Sequence, residues 1–216
     1  MKRLSLLFAL VLLAWGALHA QVSLGGFLGL NGADYYGDSD YNDAYSPLLG
    51  FNCGGLIMYQ LSDNLLVQPE LYINTQGSSF DVTITDSWGN ILEQHKASES
   101  LSYLKAAMSG KLNMNLGGIE IQPTLGLYGA TLLGATAKYN SDYVEDQDLK
   151  AYLNSTDFGV IVGGDMILAK NLLAGMKIEA GMVNVWKENS ALHINPSLKN
   201  LCVRFSVGYV LRDLKL

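Results

Sequence analysis

Beyond its first twenty residues the chain has no apolar run long enough to cross a membrane as a helix; that takes about 20 consecutive apolar residues. Helical periodicity is also scarce there. Positive charge is in short supply, with 14 Lys and Arg against 20 Asp and Glu. Sequence-independent nucleic-acid binding needs a basic surface to displace counterions, so that class is excluded. No Pro/Ser-rich linker or composition break divides the chain, which therefore reads as one domain. Cysteine is limited to Cys53 and Cys202, and histidine beyond the leader to His95 and His193.

The N-terminus reads as a leader. Met1-Lys2-Arg3 precedes an apolar stretch from Leu4 to Leu18 that closes on small residues. A basic head, an apolar segment and a small-residue end mark a secretory signal peptide. Cleavage is expected after Ala20, leaving residues 21–216 as the mature domain. The stretch is short for the alternative, a retained anchor helix. Loss of Lys2 and Arg3 takes the net charge of −6 down by two further units.

Period-2 alternation fills the rest, the pattern of a strand with one apolar face. From 157 to 168, Phe158, Val160, Val162, Gly164, Met166 and Leu168 oppose Asp157, Gly159, Ile161, Gly163 and Asp165. Between 172 and 182, Leu172, Ala174, Met176, Ile178, Ala180 and Met182 oppose Gly175, Lys177, Glu179 and Gly181. Segments near 22–30, 49–60, 65–76, 104–112, 119–128 and 201–212 follow the same rule. About eight strands result, each near the 9–11 residues that cross a bilayer at a tilt. No charge falls on the apolar face, while the other face holds both signs and many glycines. This predicts an all-β fold: an antiparallel up-and-down transmembrane β-barrel with a polar core, since only a closed barrel satisfies strand backbones in lipid. A soluble lipocalin-like barrel is the alternative.

Connections alternate in length. Leu61–Asn64, Asn113–Gly117 and Ala169–Asn171 are short. The segments 31–46, 82–98, 138–153 and 185–198 are long and are expected to be loops. Outer-membrane barrels place short turns in the periplasm and long loops outside. The expected location is the outer membrane, with outer-membrane lipid around the barrel.

The run Val67-Gln68-Pro69-Glu70-Leu71-Tyr72-Ile73-Asn74-Thr75-Gln76-Gly77 resembles the third-strand segment of the PorT-like outer-membrane β-barrel family. Tyr103-Leu104-Lys105 to Lys111, Gln122-Pro123-Thr124-Leu125-Gly126, Asp157-Phe158-Gly159 and the closing Gly208-Tyr209-Val210-Leu211 are similar to later strands of that family. The resemblance covers essentially the whole mature chain. It implies a barrel of the envelope, with secretion or envelope-assembly proteins as partners. It carries no shared catalytic motif.

Candidate sites follow from the pattern. Inward Glu70, Lys105, Lys111, Glu120, Asp165, Lys177, Glu179 and Arg204 are expected to form a buried charge network that holds the lumen shut. Tyr59, Tyr139 and Trp186 are expected at the membrane interfaces as aromatic girdles. Asp38, Asp40 and Asn42 resemble the start of a calcium loop, but Asp43 replaces the needed glycine and Leu49 the twelfth-position glutamate. They are weak metal candidates, and no metal or cofactor is expected. His95 or His193 beside Ser100 or Ser190 would be needed for acyl chemistry, and no nucleophile motif flags either serine. Cys53 and Cys202 lie on opposite faces with a strand between them, roughly 9.6 Å apart across two strand spacings, too far for a disulfide. Trp88 sits in a turn away from any girdle. The expected function is a non-enzymatic barrel offering loop and periplasmic surfaces to other proteins; the alternatives are a secretion component, a narrow pore and a lipid-modifying enzyme.

Overall fold

The computed structural model describes residues 22–37, 45–139, 144–169, 171–188 and 197–214. The leader lies outside them, as do Asp38, Asp40, Asn42, His193 and Ser190.

Eight long strands form an antiparallel barrel. They are β1 (Val22–Gly37), β2 (Tyr45–Ser62), β3 (Leu65–Thr85), β4 (Ile91–Leu112), β6 (Ile119–Lys138), β8 (Thr156–Leu168), β9 (Leu172–Asn184) and β10 (Leu198–Leu214). Two short pieces, β5 (Met114–Leu116) and β7 (Gln147–Asp148), pair with β6. Each long strand pairs with the next in the chain, and β1 pairs with β10, so the sheet closes into a ring with no free edge. Closure is what lets strands stand in lipid, where no water can satisfy an open edge.

Alternation places the faces as a membrane barrel requires. Leu28, Leu30, Phe51, Leu71, Leu104, Met108, Leu125, Val162, Met176 and Val207 are exposed on the outer wall. Arg204, Lys105, Lys111, Glu70, Glu179 and Asp165 are buried inside. A soluble barrel would reverse these faces. No helix among the described residues is long and apolar enough to cross a membrane.

The strands run further than the apolar segments. β3 has 21 residues and β4 has 22, and their pairing continues from Leu65↔Leu112 to Thr85↔Ile91. The expected loop 82–98 is therefore a β-hairpin. Its composition is that of a loop: Thr, Ser, Gln and Glu replace apolar residues once the wall has left the lipid, while period-2 alternation persists. On β4 the outer face changes from Leu104 and Met108 to Ser102, Ser100, Ser98 and Lys96. That change marks the upper edge of the apolar band. β1 likewise extends to Gly37, into the expected loop 31–46.

Candidate functional site

The lumen is packed in tiers. At the short-turn end Leu56, Met58, Leu66, Ile167, Leu173 and Val210 form an apolar floor. Above it a single chain of alternating charge crosses the interior. Lys111 meets Asp165; Asp165 meets Lys177 at 3.2 Å; Lys177 meets Glu70. Glu70 then binds Arg204 at 2.8 Å, Arg204 binds Glu179 at 3.0 Å, and Glu179 binds Lys105 at 2.7 Å. Seven of the eight expected network residues are in this chain. Glu120 is half-buried near the short-turn end, paired with Ile167 and Asn115, and lies outside it.

The sequence dictates this arrangement locally. Arg204 lies over the touching rings of Phe27 and Tyr72, at 5.1 and 4.3 Å from their centroids. Gln68 and Tyr72 add hydrogen bonds to Glu70 and Glu179. Gly175 leaves the space that Asp165 fills, because an added Cβ would collide with Oδ1 of Asp165. An isolated buried charge is prohibitively costly, and an alternating chain with extra donors offsets that cost.

The loop end is built differently. Asp157 accepts hydrogen bonds from Tyr128 and Asn200, each at 3.0 Å, and its Oδ1 is buried with no hydrogen-bond partner among the described residues. Glu99 is 6% exposed and accepts one bond, from the Tyr35 hydroxyl at 3.1 Å. It stands five residues beyond Leu104 on β4, roughly 16 Å along the strand and above the apolar band. Burial without a cation beside it pushes its carboxyl up to about 7, and the Tyr35 bond only partly opposes this. Tyr35, Tyr45, Phe80 and Tyr139 form an edge-to-face row beside it, with centroid separations of 5.1, 6.0 and 6.3 Å.

Two of the expected girdle residues stand elsewhere. Tyr139 packs against the buried cluster through Phe80. The reason is an irregularity in register between Ser102 and Tyr103, opposite Leu132 and Gly134, where one extra residue on β6 turns Ala135 and Ala137 inward. Trp186 also packs against that cluster, bridged to Leu153. Tyr59 is half-buried near the short-turn end of β2.

Beyond Phe80 and Ala97, β3 and β4 pair only with each other among the described residues. Asp86 fixes the tip. Its Oδ1 accepts the backbone N–H groups of Trp88 and Asn90, and its Oδ2 accepts the Asn90 amide. Those bonds lower its pKa. Trp88 is 86% exposed there, with Ile91 and Leu92 exposed beside it. His95 lies 3.4 Å from Glu93, and alternation puts Ser100 on the opposite face of β4. Cys53 and Cys202 are both free, Cys53 exposed and Cys202 buried. Among the described residues no three His, Cys, Asp or Glu gather as a metal site.

Sequence reasoning missed Glu99 and Asp157 as members of the interior. Glu99 fell between the expected loop 82–98 and the strand segment expected from 104, although Ala97, Glu99, Leu101 and Tyr103 keep one parity. Asp157 carried the right parity but no partner visible in sequence.

A closed antiparallel barrel with an apolar wall and a charged core defines the class of outer-membrane β-barrels. The profile of the outer membrane protein beta-barrel domain family matches residues 19–186, and the chain belongs to that family. No curated protein sequence matches it significantly. Among solved structures, Ail, the attachment invasion locus protein of Yersinia pestis, in complex with the heparin analogue sucrose octasulfate, is similar at 12% identity and TM-score 0.47, covering 88% of this chain and 99% of that one. Neisserial surface protein A is similar at 11% identity and TM-score 0.47, covering 88% of this chain and 96% of that one. OprG of Pseudomonas aeruginosa is similar at 14% identity and TM-score 0.39, covering 89% and 95%.

Proposed function

We propose that the protein is a closed, non-enzymatic barrel that works by displaying its loop end, above all the β3–β4 hairpin, to another protein outside the membrane. The observation that carries this reading is the hairpin itself: a ribbon that pairs with no other strand among the described residues and carries an exposed tryptophan on a hydrogen-bonded tip. From Leu104 to Ile91 the strand covers 13 residues, roughly 43 Å of chain. Trp88 therefore stands well clear of the barrel's own bilayer, where it cannot act as an interfacial anchor. Exposed aromatic side chains flanked by aliphatics are common anchors of protein interfaces.

The test is co-purification from the native outer membrane in mild detergent, with wild type beside Trp88→Ala. A stoichiometric partner retained by wild type and lost by the variant supports the reading. Equal recovery of that partner with both, or recovery of wild type alone, contradicts it. A secretion-system or envelope-assembly protein as that partner would give the barrel the role that its resemblance to PorT-like proteins implies.

A further inference from the structure

Charge is unevenly divided along the barrel axis. The ionic chain holds four cations, Lys105, Lys111, Lys177 and Arg204, against three carboxylates, Glu70, Asp165 and Glu179. Above it, Asp157 and Glu99 are buried carboxylates whose donors among the described residues are all neutral. Asp34 stands apart from these two: it is half-buried, of opposite parity to the buried Ala33 and Tyr35 on β1, and accepts from the Ser78 hydroxyl at 2.7 Å. Lys96, Lys138 and Lys199 carry the opposite parity to the inward residues around them and point outward. Among the described residues, each carboxylate of the ionic chain thus has a cation beside it, and Asp157 and Glu99 have none.

The surroundings of Glu99 specify the missing charge. Tyr35 is buried against it, and the half-buried Tyr45, Phe80 and Tyr139 continue from Tyr35 as a row of ring contacts. Aromatic rings attract cations through their faces, and an organic ammonium gains most because it is weakly hydrated. Oxygen ligands are too few here for a hard divalent ion, which takes six or more.

We propose that the loop-end mouth is a binding site for an aliphatic ammonium compound, with Glu99 as its counter-ion and the Tyr35, Tyr45, Phe80 and Tyr139 row as its lining. The unpaired Oδ1 of Asp157 lies deeper and contributes negative potential along the same axis. 1,4-Diaminobutane carries an ammonium group at each end and serves as the probe.

Linkage gives this a signature. With its carboxyl near 7 when empty, Glu99 must lose a proton to bind the cation. Binding therefore tightens as pH rises from 6 to 8, with proton release at the low end. Other titratable groups face this region. Tyr35 and Tyr45 are shifted upward and stay neutral in that range. Among the described residues, Tyr139 also lies in this region, Tyr103 lies below on the same face of β4, and His95 and Glu93 lie above on that face.

Isothermal titration of the folded barrel with 1,4-diaminobutane, at pH 6 and 8 and in two buffers of different ionisation heat, tests the proposal. Saturable binding is expected, tighter at pH 8, with buffer-dependent heat at pH 6. Glu99→Gln should weaken it by about tenfold or more and remove the pH dependence. His95→Gln should leave both in place. Should Glu99→Gln fail to fold, the buffer-dependent heat of the wild type decides alone. Absence of binding, pH-independent binding, undiminished binding by Glu99→Gln, or displacement by equimolar magnesium would overturn the proposal.

Discussion

Glu70 and Glu99 are both buried carboxylates, and their neighbours give them opposite behaviour. Glu70 joins Lys177 to Arg204 and accepts from Gln68 as well. Its removal strands two cations in a closed core. Glu70→Ala should lower the unfolding free energy by about 3–5 kcal/mol, read as a shift in urea unfolding followed by heat-modifiable gel mobility. The half-buried Glu120 should cost much less on the same change. Unchanged unfolding of Glu70→Ala would count against a working ionic chain. For Glu99 the sign runs the other way. Its carboxyl rises from 4.5 to about 7 on folding, so the native state binds the proton more tightly than the unfolded chain. Its contribution favours folding most at low pH and is lost as pH climbs from 4.5 through 7. The loss amounts to roughly 3 kcal/mol at one unit per 1.4 kcal/mol. Unfolding midpoints at pH 5 and pH 8 should differ in wild type and converge in Glu99→Gln. A midpoint that rises with pH in wild type and stays pH-dependent in the variant would refute this account of Glu99.

Among the elements, the β3–β4 hairpin separates what the barrel needs from what it displays. Its strands beyond Phe80 and Ala97 pair with no neighbour among the described residues. Replacing Asp81–Lys96 by an Asn-Gly turn should therefore leave barrel unfolding within about 1 kcal/mol of wild type, while abolishing capture of any loop-end partner. A large loss of stability would show that the hairpin packs on the barrel after all. The sequence made the eight membrane segments legible because lipid imposes one rule on each outer face, as in Met176, Ile178 and Ala180 against Lys177 and Glu179. Beyond the band that rule lapses. Ser98, Ser100 and Ser102 occupy an outer face as polar as any loop, so the hairpin was hidden. The register shift opposite Tyr103 was hidden too, and with it the inward turn of Tyr139, since an inserted residue has no compositional mark. Ionic partners were legible as a set of inward residues but not as pairs. Lys177 and Glu70 come together through ring closure, although 107 positions apart in sequence.

The whole molecule is a closed wall around a filled core. Apolar side chains floor the short-turn end, seven charged residues cross the middle, and tyrosines with two unpaired acids line the loop end. An eight-strand barrel is just wide enough for side chains to fill, and this one uses Arg204, Tyr72, Lys105 and Lys111 to do so. This is why the proposed function is placed on the surface that projects from it. The most direct measurement is the conductance of the purified barrel in a planar bilayer at moderate salt. The account predicts a silent membrane, with no discrete steps above the bare bilayer at either polarity. Stable ohmic steps from the wild-type barrel would contradict it, because ions would then be passing through the tier that Glu70, Arg204 and Glu179 are said to close.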